Sequence, residues 1–286
     1  APDAWNDSAT SEQIATSNLI LDAFPNDPYE NTDADNDGAG ANQDVDDNDP
    51  AVGYKTVAEA LLSVPDADLR ACIQAQVGQG ATVDQFDYLY TCSGRSITDL
   101  TGIEQFFRLR DFDLEGNPVA DLTPLTSLKG LERLALVNNG VSDISVLAQI
   151  PSLQTLYLRN NPISDGSPLA SLTNLRTLNA EGVPFSNIEW ASGLVSLETL
   201  RLTGGDWTSI ASLAELTTLR HLELKGVPAI TDFSALRGLP LTYLHIGDNN
   251  SITSFAQFVP EQGTLEYLEV NSAGLNALDS LNLLAN

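Results

Sequence analysis

The chain has 286 residues, with 39 Asp and Glu against 13 Lys and Arg, a formal net charge of −26 at pH 7. No apolar run reaches the ~18 residues that a membrane-spanning helix needs. Nucleic acid and anionic lipid surfaces are disfavoured as partners, because both require a basic stripe to neutralise phosphate and none exists here.

Residues 1–54 carry 13 acidic side chains and no Lys or Arg. Methionine is absent and residue 1 is alanine, as expected of a chain trimmed by removal of a secretory signal peptide, the preferred reading, or of a fragment. Residues 1–21 form an N-terminal arm without assignable chemistry; within it, Asn18-Leu19-Ile20-Leu21 suits a short strand or a self-association element.

Residues 22–50 form an acidic segment. Asp33-Ala-Asp35-Asn-Asp37-Gly38 opens a D-x-D-x-D-G loop, and Asp44 falls at its twelfth position. Calcium takes six to eight oxygens, and carboxylates at positions 1, 3 and 5 converge only if the chain turns sharply at position 6, where glycine stands. The backbone carbonyl of Ala39 supplies a further oxygen at position 7. Asp44, Asp46, Asn48 and Asp49 suit a second, overlapping site. No amphipathic helix flanks the loop, which argues against an EF-hand. The stretch from Asp22 to Pro50 resembles a thrombospondin type 3 repeat, a family that wraps irregular acidic chain around several calcium ions. That resemblance implies Asp22, Asp27 and Glu30 as additional ligands, although the cysteines of the animal repeats are missing. A solvated, disordered acidic linker is the alternative.

Residues 56–95 read as a helical cap and a first strand. Val57, Ala60, Leu61 and Val64 suggest one short helix ended by Pro65, and Asp66 can N-cap a second that carries Leu69, Cys72 and Ile73. Cys92 falls on the first strand. A Cys72–Cys92 disulfide would seal the exposed core edge of a terminal repeat, contribute ~3 kcal/mol through chain entropy and imply an oxidising, extracytoplasmic location. Two buried free thiols are the alternative.

Residues 96–286 are dominated by L-x-x-L-x-L, first met at Leu109-Arg-Asp-Phe112-Asp-Leu114. Its first leucine recurs at Leu131, Leu153, Leu175, Leu197, Leu219 and Leu241 in steps of 22, then at Leu265 after 24. A degenerate copy is expected to start at Asp87, with Tyr90 and Cys92 in the later leucine positions. Periods of 20–29 residues mark leucine-rich repeats. The expected fold is therefore an α/β solenoid, a right-handed leucine-rich-repeat superhelix with a parallel concave sheet and a small helical cap. The entry from Val64-Pro-Asp to Ser96-Ile-Thr-Asp-Leu-Thr-Gly-Ile103, with Asn117-Pro-Val-Ala-Asp121 and Asn161-Pro-Ile-Ser-Asp165, resembles bacterial internalin-like proteins over roughly residues 57–278. Positions 1, 4, 6, 11, 14, 17 and 20 of each repeat point inward. The ninth position holds Asn117, Asn139, Asn161 and Asn249, whereas Val183, Gly205 and Val227 replace it elsewhere. With Gly166 and Ala191 at positions that are usually large and apolar, this predicts irregularity across residues 165–230. Trp207, at the eleventh position, reads as core.

Side chains at the third, fifth and seventh positions project onto the concave face. They place Arg133, Tyr157, Arg159, Arg201, His221, Lys225, Tyr243, His245 and Tyr267 there. Arg and Tyr are the types enriched at binding hot spots, although threonine columns on the same strands need no function beyond strand formation. The sign-alternating second-position column (Arg110, Glu132; Arg176, Glu198, Arg220) reads as lateral ion pairing, and Asp99, Asp121, Asp143 and Asp165 as turn caps. No nucleophile has a matching base, and His221 and His245 are two positions out of step, so no enzyme is expected. The reading is a secreted or cell-surface bacterial protein that binds Ca2+ and recognises a protein or glycan on its concave face. Its rival is a structural subunit of a surface layer, matrix or fibre, associating through Asn18–Leu21 or the C-terminal end.

Overall fold

The computed structural model describes residues 54–76, 81–205, 207–249, 252 and 264–271. The expected N-terminal arm, every expected calcium ligand from Asp22 to Asp49, and the C-terminal stretch from residue 272 lie outside the described residues.

Two short helices open the described chain. Helix α1 (Val57–Ala60) starts at a capping box, in which Thr56 Oγ1 accepts from Glu59 N and Glu59 Oε2 accepts from Thr56 N at 2.9 Å. Helix α2 (Ala67–Gln76) is capped by Asp66, whose Oδ1 accepts from the amides of Asp68 and Leu69, both at 2.9 Å. The other oxygen of Asp66 accepts from Thr98 N at 2.9 Å, so one carboxylate both starts the helix and ties it to the first repeat. Hydrogen bonds from Thr98, Leu69 and Asp99 outweigh the effect of burial and hold that carboxyl below its ordinary value. Helix α2 buries Leu69, Cys72 and Ile73. Cys72 and Cys92 are disulfide-bonded, with Cα atoms 5.0 Å apart.

The remainder is a parallel sheet with its nine strands in chain order. They are β1 (Tyr88–Leu89), β2 (Asp111–Asp113), β3 (Arg133–Ala135), β4 (Thr155–Tyr157), β5 (Thr177–Ala180), β6 (Thr199–Thr203), β7 (His221–Lys225), β8 (Tyr243–Gly247) and β9 (Tyr267–Asn271). From β2 to β8 each residue pairs with the one 22 further on, as in Asp111↔Arg133 and His221↔Tyr243. The chain is an α/β leucine-rich-repeat solenoid. Period-two alternation turns Phe112, Leu134, Leu156, Leu178, Leu200, Leu222 and Leu244 inward, all buried, and leaves their neighbours on the outer face of the sheet. Opposite the sheet run 3-10 turns such as Thr123–Ser127, Ser145–Gln149 and Ser167–Ser171. Asp121, Asp143, Asp165 and Asp232 each accept, at 2.8 Å, from the amide two residues on, which begins the turn. Those bonds hold the four carboxyls below the usual range.

Buried asparagines join successive coils. Asn161 donates to Leu136 O at 2.6 Å and Leu158 O at 2.8 Å, and accepts from the amides of Asn139 and Val141. Asn117 repeats the pattern with Cys92, Leu114, Arg95 and Ile97. Asn139 makes only the donor half, and its buried Oδ1 has no partner. The reason lies one coil back. Val119 N, the counterpart of the Val141 and Ile97 amides that serve Asn161 and Asn117, is bonded to Asn117 O at 2.9 Å instead.

Three expectations are corrected. The first concerns the degenerate copy. Tyr88 pairs with Asp111 and Leu89 with Phe112, so Leu89 is the inward residue and Tyr90 is 51% exposed. Buried Phe86, rather than Asp87, takes the opening leucine's place, because an apolar ring can enter the core and a carboxylate cannot. The second concerns residues 165–230, where register runs unbroken and the strands lengthen. Gly166 is small because Trp190 of the next coil occupies its space: a Cβ there would lie 2.3 Å from Trp190 Nε1. Trp207 is buried and donates to Phe185 O at 2.7 Å. Where asparagine is missing, Val183 N turns to Ala180 O instead. The third is a slip that the 22-residue frame conceals. After Val227 the buried residues are Ile230, Phe233, Leu236 and Leu239, one place later than in earlier coils, and Leu241 restores the frame.

Candidate recognition surface

Parallel pairing brings the outward columns of nine strands onto one face, ~38 Å from β1 to β9 at ~4.8 Å per strand. At the β1 end, Tyr88 and Tyr90 stack with ring centres 5.2 Å apart, each about half exposed. Tyr90 donates to Asp111 Oδ2 at 2.8 Å. Arg133 lies 2.7 Å from Asp111 Oδ1, 3.9 Å from Asp113 Oδ2, and 5.1 Å from the centre of the Tyr157 ring. Both carboxylates and the cation–π contact hold the Arg133 guanidinium flat against the face.

The middle is small and polar, with Thr155, Thr177, Thr199 and Asn179. Arg159 is exposed here. Among the described residues no carboxylate lies within ion-pairing distance of it, so it is a cation free for a partner.

The far end is organised by Glu223, which is 8% exposed. Its Oε1 lies 3.0 Å from Arg201 Nε and 2.9 Å from His221 Nε2, and its Oε2 accepts from Lys225 Nζ at 2.7 Å. Burial alone would raise this carboxyl, but the hydrogen bonds from Lys225 and His221, with the charges of Lys225 and Arg201, hold it at about 2. His221, Tyr243 and Tyr267 form a continuous ring stack, with centres 4.0 and 4.4 Å apart. Tyr267 donates to Glu269 Oε2 at 2.7 Å, which pushes its hydroxyl up to about 12. His245 Nδ1 faces the same carboxylate at 3.6 Å. The two histidines thus serve different glutamates, and among the described residues no group of three or more His, Cys, Asp or Glu is placed to hold a metal ion.

All nine residues expected on this face stand on it or at its rim. Their roles divide: Arg133, Arg201, His221 and Lys225 are held by internal carboxylates, while Arg159 is not. Tyr88 and Tyr90 were missed as members of the surface, and Glu223, placed on it, was not singled out as its organising charge. Reading Phe86-x-x-Leu89 as the first copy finds the two tyrosines. Glu223 stood in its column as one charge among several, and only the side-chain geometry shows three cations converging on it. The second-position column carries the expected lateral pairs, Arg110–Glu132 at 2.8 Å and Arg176–Glu198 at 2.6 Å. Arg110, Glu132 and Arg176 line a shallow polar groove of about 430 Å³ with Gly130, Ser152, Gln154, Asn174 and Ser196.

A family profile described as Leucine Rich repeats (2 copies) matches residues 151–190. No curated protein sequence matches the chain. Solved structures do. Internalin C2 of Listeria monocytogenes is similar at 24% identity and a TM-score of 0.55, over 65% of this chain and 96% of that one. The internalin inlF of the same organism is similar at 23% and 0.52, over 74% and 78%. A leucine-rich-repeat protein of Leptospira interrogans is similar at 21% and 0.57, over 78% of this chain and 59% of that one. At these identities the likeness is one of fold.

Proposed function

We propose that this chain is a secreted or cell-surface recognition protein, of the internalin-like kind, whose concave sheet face binds a partner protein. The observation that carries the reading is the composition of that face. Exposed tyrosines stand at both ends, a small polar floor lies between them, and Arg159 is an unpaired cation in a chain of net charge −26. A protein partner fits better than a glycan. Sugars stack on open ring faces, whereas Tyr243 is covered on both faces by His221 and Tyr267, and Tyr157 carries Arg133. The Cys72–Cys92 disulfide supports an oxidising compartment. The acidic segment from Asp22 to Asp49 is proposed to bind calcium and brace the approach to the cap. A non-enzymatic role fits the same face, where Asp111, Glu223 and Glu269 are held by neighbouring side chains.

The test is capture of extracellular proteins by the immobilised full chain, compared with two variants. Thr177→Trp plugs the centre of the floor, and Arg159→Glu reverses its free cation; neither side chain enters the core. Loss of specific capture in both variants is expected. Capture that survives both but fails when residues 18–21 are deleted would overturn the reading and favour the structural subunit.

A further inference from the structure

We propose that the Tyr88/Tyr90 end of the sheet face receives an arginine-rich segment of the partner protein; this rests on the face being the recognition surface. The argument begins with charge. Asp111, Asp113 and Glu115 stand on β2 and just beyond it, and Arg133 is the cation that answers them. Three carboxylates less one guanidinium leave an excess of two negative charges. Glu115 is exposed, and among the described residues no cation pairs with it. Directly beside these acids, Tyr88 and Tyr90 are 50% and 51% exposed, among the most exposed large apolar side chains described.

The same face shows what chemistry it accepts. Arg133 lies with its guanidinium 5.1 Å from the Tyr157 ring centre and its NH1 nitrogen 2.7 Å from Asp111. A planar cation is thus bound between an aromatic ring and a carboxylate, using stacking and charge-assisted hydrogen bonds together. Tyr88 and Tyr90 present rings beside the same acidic strand, and Glu115, further along it, has no paired cation among the described residues. Guanidinium suits them better than ammonium, because it stacks on rings and is less strongly hydrated. The opposite end of the face is spent: Glu223 is held by Arg201, His221 and Lys225, and Glu269 by Tyr267 and His245. The net charge of −26 further steers a basic partner inward and repels an acidic one.

The experiment measures binding of a fluorescent arginine–glycine repeat peptide to the full chain at physiological salt, with lysine–glycine and glutamate–glycine peptides of equal length beside it. Expected are arginine bound more tightly than lysine, no binding of the glutamate peptide, and a loss of about 10-fold or more in Tyr88→Ala/Tyr90→Ala, which leaves every charge in place. Val195→Ala, exposed on the turn side away from the sheet, should bind as wild type does. Equal binding by wild type and Tyr88→Ala/Tyr90→Ala would overturn the proposal, since the attraction would then be diffuse, and so would failure of the wild type to bind. If that double variant does not fold, Glu115→Lys decides the matter, and unchanged affinity refutes the site. Should Thr177→Trp abolish protein capture while Tyr88→Ala/Tyr90→Ala leaves peptide binding intact, the docking site is wrong and the recognition face stands. If Thr177→Trp leaves capture unchanged, the face itself is wrong.

Discussion

Glu223→Gln keeps the shape of the side chain and removes the charge beneath Arg201, His221 and Lys225. The effect can be sized from the carboxyl itself, which lies at about 2 against an ordinary 4.5. At ~1.4 kcal/mol per tenfold change this corresponds to ~3 kcal/mol. Arg201 and Lys225 are 40% and 29% exposed, so solvent screens part of the interaction, and ~1–2 kcal/mol is the expected cost. Because the folded-state value lies below the unfolded one, the stabilisation is present above about pH 4.5 and is lost as pH falls towards 2. A solenoid unfolds through neighbouring coils rather than all at once, so the assay is amide hydrogen exchange resolved by strand. At pH 7 the amides of β6, β7 and β8 should exchange ~5–30-fold faster in Glu223→Gln than in wild type, with β2 and β3 unchanged. Near pH 2.5 the difference should shrink towards nothing. Equal exchange at pH 7, or a difference that persists undiminished at pH 2.5, would refute the account of the cluster.

Asn161→Ala removes four buried hydrogen bonds, three to the preceding coil and one within its own, and should cost ~3–4 kcal/mol. Asn139→Ala, whose acceptor oxygen has no partner, should cost clearly less; urea denaturation of the two variants side by side checks the order. Gly166→Ala should destabilise by ~1–3 kcal/mol through overpacking against Trp190, and Trp190→Leu should restore most of the loss in thermal melts. Replacing Cys72 and Cys92 by serine should cost ~3 kcal/mol, and the wild-type peptides carrying them should be recovered linked by mass spectrometry without reductant. Chelating calcium should raise protease sensitivity within residues 22–50 and leave the solenoid intact. An unchanged cleavage pattern there would remove the metal from the reading.

Much of the surface was legible because a solenoid converts sequence period into spatial column. Tyr157, His221 and Tyr243 could be placed on one face from their offsets alone, since each strand repeats the inward and outward choice of the last. The same logic failed where the period slipped by one residue. At Phe86–Leu89, a frame counted back from Leu109 put Tyr90 in the core. After Val227 a constant 22-residue step hid the displacement of Ile230, Phe233 and Leu236, because Leu241 absorbed it. Gly166 looked like a defect in its own repeat, and its explanation, Trp190, belongs to the next.

Leucine spacing by itself determined the architecture, the parallel order of the strands and which side chains face outward, because no single coil can bury its apolar edge without its neighbours. Tertiary structure decided which of the outward charges are available. Arg201 and Arg159 are both arginines on the same face, and nothing in their local sequence separates them. Glu223, 22 residues from Arg201 and on the neighbouring strand, neutralises one and lies too far from the other. Pairing across strands depends on distance and on the desolvation of each side chain, and both arise only once the coils have stacked.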